Sequence, residues 1–367
     1  MTRRTLLGAG AAALASQSGG AAPAASAAPA EVAPAPVPAG KVKFGLDLYS
    51  VRSQGWTPIQ HLDYCAKWGI QVVHFSEIRF LGDLEEDNLK QVRAHAAELG
   101  IEVEIGMMSI CPTSAMFNKS QGTAEEQLTR MIAAAHTVGS KIVRCVLGSS
   151  ADRAGAVPLE AHIENTVKVL RNVRSRVVDA GLKVAVENHA GDLQAREMKM
   201  LIEAAGPDFV GSCLDSGNPL WTIEDPHLTL ETLGPYVLTS HVRDSAVWNT
   251  PQGAAVSWVR MGEGNIGMED YIREYAGKCS GRALSLEVIV MGPRAFNYRD
   301  PKFWNAYRQT PAWEFARFLA LAEKGTPREA PPRLSGPAAA ARELEDVEAS
   351  IRWTKAFLGR EGLGTAG

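Results

Sequence analysis

The chain has 367 residues, 46% hydrophobic and 22% charged, with a formal net charge of -3. That balance argues against a disordered or fibrous protein and leaves room for one large domain or two modest ones. Near-neutral charge without a basic run argues against a nucleic-acid partner.

The first stretch, MTRRTLLGAGAAALASQSGGAAPAASA, pairs Arg3 with Arg4 ahead of a weakly apolar Gly/Ala run and ends in Ala25-Ser26-Ala27. It reads as a twin-arginine-type signal peptide over residues 1–27, which implies export to the periplasm or beyond. The apolar run is only about ten residues, too short for a stable membrane span. A Pro/Ala linker follows over 28–40, and the folded part is expected over 41–367. Twin-arginine export carries proteins already folded, which suits a chain that must acquire a cofactor or metal before it leaves. The five cysteines are scattered without a CxxC pair, so no disulfide framework is expected.

From Lys41 onward, strand-like runs occur at 42–49, 72–77, 101–108, 141–148, 183–188, 209–215, 237–244 and 283–290. Amphipathic stretches separate them, and several end in glycine, a common helix stop. Eight such units predict a (β/α)8 TIM barrel, with an open doubly wound sheet as the alternative. The tail adds PAWEFARFLALAEKG, expected as an extra helix before the barrel closes. A Pro-rich break and a last helix, ARELEDVEASIRWTKAFLG, complete a C-terminal helical extension.

In a barrel of this type the active site lies at the C-terminal ends of the strands. Four successive strands finish with a side chain able to bind a metal: Glu187, Asp215, His241 and Glu287. Taken singly, each has an ordinary reading as a helix cap, half an ion pair or a core histidine. Together they aim three carboxylates and one imidazole at one point. Three such charges in a dry pocket require a cation. Oxygen-rich ligation with one nitrogen suits Mn²⁺, Mg²⁺ or Co²⁺.

The motifs AVENH, CLDSGNP, SHVRD, GEGNIG and LSLE, with the opening FGLDLYSVR, resemble the xylose-isomerase-like TIM barrels, often labelled sugar phosphate isomerase/epimerase. The likeness covers roughly Lys43 to Leu358, and the tail motifs resemble an exported branch. It implies that Glu187 and Glu287 both ligate the metal and transfer protons on opposite sides of a bound carbohydrate. The implied chemistry is removal of the proton next to a carbonyl through a metal-stabilised enediolate. Its outcome is epimerisation or isomerisation; elimination from a keto-sugar or 3-keto-glycoside is the lyase alternative.

Two departures stand out. Ketose 3-epimerases of this family carry a His where this chain has Asn218, and an Arg where it has Val247. Asn218, Arg243, His189, Tyr49 and Glu77 are the expected substrate contacts. For Arg243 an ion pair with Asp244 or another neighbour is an equal alternative. A homo-oligomer is compatible with the family. Gly262, Gly264 and Gly267 satisfy GxGxxG, but no further strands are expected after residue 290 to complete a dinucleotide-binding half. That segment is expected instead as a turn entering the seventh helix. An abasic-site endonuclease of this fold would need more His and Asp ligands and a basic face. A non-catalytic sugar-binding protein is the reading of another class.

Overall fold

The computed structural model describes residues 40–365. The signal-peptide segment and nearly all of the linker lie outside the described residues.

Seven parallel strands alternate with helices along the first part of the chain: β1 (Lys43–Asp47), β2 (Val72–Phe75), β3 (Glu102–Ser109), β4 (Ile142–Val146), β5 (Lys183–Glu187), β6 (Val210–Asp215) and β7 (Val237–His241). A hairpin follows, β8 (Asp244–Thr250) and β9 (Gly253–Val259), before the eighth barrel strand β10 (Ala283–Leu286). A short strand, β11 (Arg294–Phe296), then pairs antiparallel with β9. The barrel order is β10-β1-β2-β3-β4-β5-β6-β7. It closes where Val242 N donates to Ser285 O (2.7 Å) and Glu287 N donates to Val242 O (3.0 Å).

These strands are short apolar runs with both faces covered, as a parallel sheet inside a ring of helices requires. Every residue of β4 and β6 is buried. The helices form because apolar side chains recur on one face. In α3 (Ala124–Val138) that face is Leu128, Met131, Ile132, Ala135 and Val138. Thr123 and Glu126 form a capping box at its start. Gly139, at φ +88, takes the left-handed conformation that ends the helix, a conformation costly for residues with a Cβ.

Two expectations need correcting. The helix over Ala312–Lys324 comes after β10 has closed the barrel; it packs on β8 of the hairpin, and its Leu321 O accepts from Asn265 Nδ2 in the turn that follows the hairpin (3.1 Å). Strand β11 also lies beyond residue 290. The hairpin is not among the expected elements: it falls between the strand expected over 237–244 and the glycine turn. Its strands are buried on both faces except at Asn249 and Thr250, so no alternation marks them. The last helix, α10 (Gly336–Glu361), completes the ring. Arg273 of the helix after β9 pairs with its Glu361 (3.0 Å), and its Lys355 donates to Trp68 O after the first helix (2.8 Å). The chain then returns to the start of the barrel, with Val42 N donating to Leu363 O (2.9 Å) and Thr365 N to Val42 O (3.0 Å).

Candidate metal centre at the barrel mouth

Glu187, Asp215 and His241 are the last residues of β5, β6 and β7, and Glu287 directly follows β10. All four are buried, and one donor atom from each lies within 4.8 Å of the others. The register explains this: Asp215 stands opposite His241 across the β6–β7 ladder. His241 Nδ1 lies 3.1 Å from Glu187 Oε2 and 3.2 Å from Glu287 Oε2. Asn188 ties the ends of β5 and β6 by donating to Asp215 O (3.0 Å) and accepting from Asp215 N (2.9 Å).

Charge balance comes from two arginines. Arg144 Nε donates to Glu187 Oε2 (2.5 Å), and Arg243 Nη2 contacts both Asp215 Oδ2 and Glu287 Oε2. Burial alone would raise each carboxyl pKa. Arg144 and His241 overcome it at Glu187, which is held well below the usual carboxylate range. Arg243 and His241 bring Glu287 down to about 2. At Asp215 burial wins, aided by the two neighbouring glutamates, and the value rises to about 7. Burial opposes the charge on His241, but Cys213 and the surrounding carboxylates raise its pKa well above normal.

The residues fit a divalent ion. His241 Nδ1 faces the carboxylates and has no hydrogen-bond partner among the described residues; Asn218 Oδ1 and Asp47 Oδ2 are likewise buried without one. Three carboxylates and one imidazole nitrogen are the donor set of a hard or borderline cation.

The other expected site residues divide into two groups. Asn218 and Arg243 belong to the cluster. Asn218 Nδ2 donates to Glu187 Oε1 (3.3 Å), and its backbone N–H donates to Asp215 Oδ1 (2.7 Å). Arg243 pairs with Asp215 and Glu287. Asp244 instead turns away to accept from Gly262 N (3.0 Å) and Gly264 N (2.9 Å). The GxGxxG segment therefore wraps a carboxylate of this chain and leads into α8 (Met268–Lys278), the seventh helix of the ring. Gly217 of CLDSGNP lets Arg243 approach, since a Cβ there would fall 2.4 Å from Arg243 Cγ.

His189 is half-buried beside the cluster, its Nδ1 2.8 Å from Gly148 O. Tyr49 and Glu77 lie farther out at the mouth. Glu77 pairs with Arg79 (2.5 Å), and Arg52 stacks on the Tyr49 ring at 4.8 Å. Among the described residues, no hydrogen bond or ion pair joins either side chain to the four-residue cluster. Val247 is buried in the hairpin, where its N–H donates to Asn265 Oδ1 (2.8 Å).

Three participants were missed. Arg144 sits inside the apolar run KIVRCV, the same anomaly that Glu287 presents. Asp47 ends β1, with Oδ2 3.5 Å from His241 Nε2. His74 Nδ1 lies 2.9 Å from the same nitrogen and fixes the far edge of the imidazole.

The family described as Xylose isomerase-like TIM barrel matches residues 62–305, well over half the chain. The chain belongs to this family. A 3-oxo-isoapionate decarboxylase of Pectobacterium atrosepticum is 23% identical over 185 residues, which is 50% of this chain and 60% of that protein. D-psicose 3-epimerase of Clostridium cellulolyticum H10 superposes with a TM-score of 0.55 at 14% identity, over 77% of this chain and 96% of that one. The E. coli 3-keto-D-glucoside 4-epimerase gives 0.53 at 14% identity, over 76% and 98%. At these identities the two structures share the xylose-isomerase-like fold with this chain. No helix among the described residues is long and apolar enough to cross a membrane.

Proposed function

We propose that this xylose-isomerase-like barrel is a divalent-metal-dependent carbohydrate isomerase or epimerase, with Glu187, Asp215, His241 and Glu287 as ligands. The observation that carries the reading is the convergence of these four buried side chains on one point, with His241 Nδ1 facing the carboxylates. A divalent ion bound there would polarise a substrate carbonyl and acidify the adjacent C–H. Glu187 and Glu287 flank His241 Nδ1 and remain ionised at neutral pH, the state in which a carboxylate accepts a proton. One removes the proton next to the carbonyl, and it or its partner returns one. Asn218 orients Glu187, and the Asn188 clasp holds Asp215 in place.

Elimination from a keto-sugar begins with the same proton removal. Asn218 and Val247 stand where a ketose 3-epimerase carries His and Arg, which counts against a free-ketose epimerase and keeps elimination from a keto-sugar as the second reading.

Two measurements test the proposal. Asp215→Ala and His241→Ala should each lose the stoichiometric divalent metal found in the wild type by elemental analysis. Metal-loaded wild type, incubated with free and 3-keto sugars in D₂O, should exchange the C–H next to the carbonyl, as read by NMR. Release of a glycosidic substituent during that exchange would select elimination. Full metal occupancy in both variants, or no exchange with any sugar, would overturn the reading.

A further inference from the structure

Beside the carboxylate cluster lies a cavity of about 480 Å³ whose chemistry differs from that of the cluster. Its walls come from the mouth of the barrel: Ser150 and Arg153 after β4, Trp221 after β6, Arg294 of β11, and Lys302 and Tyr307 beyond it. Three lining residues are cationic and none is acidic. Arg153 is already committed, paired with Glu197 and donating to Asp192 O (2.8 Å) and Ala306 O (3.0 Å). Arg294 and Lys302 are not. Arg294 donates to Ser150 Oγ (2.8 Å) and stacks over Trp221 at 4.1 Å, and no carboxylate pairs with it among the described residues. Burial pulls its pKa down, so the guanidinium pays for partial desolvation without a counter-charge.

A stack of side chains spans the distance between this cavity and the cluster. Arg243 lies over Trp258 at 4.3 Å, Trp258 stacks on Trp221 at 4.3 Å with planes 6° apart, and Arg294 covers Trp221. Two indoles therefore separate Arg294 from the guanidinium that touches Asp215 and Glu287. A single sugar ring held at the cluster is too short to reach past both.

We propose that this cavity is a second substrate subsite, which takes the anionic end of a glycosidic substrate whose keto-sugar end lies at the carboxylate cluster. The anion is a carboxylate or a phosphate, bound by Arg294 and Lys302, and the aromatic walls accept the ring that carries it. This rests on the carbohydrate reading above, but binding can be scored without turnover.

The probes are phenyl β-D-glucoside, its 4-carboxylate and its 4-phosphate, titrated calorimetrically into metal-loaded protein. At least one anionic probe should bind about tenfold or more tightly than the neutral one, and added salt should reduce the difference. Which anion binds better identifies the source of the charge. Arg294→Gln should bring the preference down to about threefold or less, Lys302→Gln should weaken it partly, and Arg294→Lys should restore part of it. Retained metal stoichiometry shows that each variant is folded. Equal binding of all three probes, failure of both anions to bind at millimolar concentration, or an unchanged preference in Arg294→Gln overturns the subsite. An anion preference without C–H exchange would sink the enzymatic reading and leave the subsite standing; exchange without the preference would do the reverse.

Discussion

Two regions of the barrel interior hold carboxylates under different rules. At the mouth, Glu187 and Glu287 are each touched by a guanidinium and stay ionised. Deeper inside, Glu104 of β3 reaches across to Thr239 of β7, whose hydroxyl donates to it (2.6 Å). No guanidinium contacts it, and burial pushes its pKa up to about 7 despite the pull of Thr239 and His241. His74 stands between the regions, its Nδ1 2.9 Å from His241 Nε2 and 3.7 Å from Glu104 Oε2. The two glutamates at the mouth stay charged because arginine and His241 together outweigh burial. At Glu104, and at Asp215 despite its contact with Arg243, burial wins and the value rises to about 7. Carboxylates held ionised at the mouth carry the charge that the proposed metal reading requires.

The largest effect should come from breaking the mouth chemically. Glu287→Gln, assayed at saturating metal, should run at least about a hundredfold slower than wild type, because an amide can ligate but cannot act as a base. Glu187→Gln should also be slow, with one of the two variants still exchanging the substrate C–H in D₂O. Near-wild-type turnover by Glu287→Gln would reduce that residue to a ligand.

A second substitution tests the charge balance itself. Arg144→Met leaves Glu187 buried without its guanidinium and should cost metal-free protein about 2–3 kcal/mol in denaturant unfolding. Added Mn²⁺ should recover part of that loss, since an ion supplies the missing positive charge. A loss that metal does not reduce would mean that Arg144 acts by packing alone.

The smallest effect lies at the deeper level. Between the ordinary glutamate value of 4.5 and about 7, folded Glu104 keeps a proton that the unfolded chain has released. Its contribution therefore makes stability fall as pH rises through that window and level off above it. Glu104→Gln cannot titrate, so its unfolding free energy should lack roughly 1–2 kcal/mol of that decline, a discounted figure for a side chain 15% exposed. Identical slopes in the two proteins would mean that Glu104 is ionised in the fold.

The barrel and its four convergent residues were legible because strand period and strand-end position are local signals. Glu187, Asp215, His241 and Glu287 each end an apolar run, and a parallel barrel brings such ends together. The partners of those residues were not legible in the same way. Arg144, Asp47 and His74 sit on other strands, and only barrel closure sets them against Glu187 and His241. The stacking of Trp258 on Trp221 was also hidden. It depends on the β8–β9 hairpin, whose strands are buried on both faces and so lack the alternation that marks a half-exposed strand. Tyr49 and Glu77 satisfy the strand-end rule yet pair with nearby arginines, which shows that position on a barrel strand brings a residue to the mouth without bringing it to the cluster.

The meeting of the last described residues with Val42, at the start of the barrel, has a consequence for rearranging the gene. Joining residues near Lys41 and Thr365 would need little added sequence, because Leu363 and Thr365 already bond to Val42. New ends could be opened at the turn around Gly181, which precedes β5 and so lies at the opposite end of that strand from Glu187. The permuted chain would begin with β5, β6, β7 and β10, placing all four convergent residues in the half made first. The other half, β1 to β4, would then supply Asp47, His74 and Arg144. Separating these halves as complementing fragments would divide the donor atoms from the groups that balance and orient them.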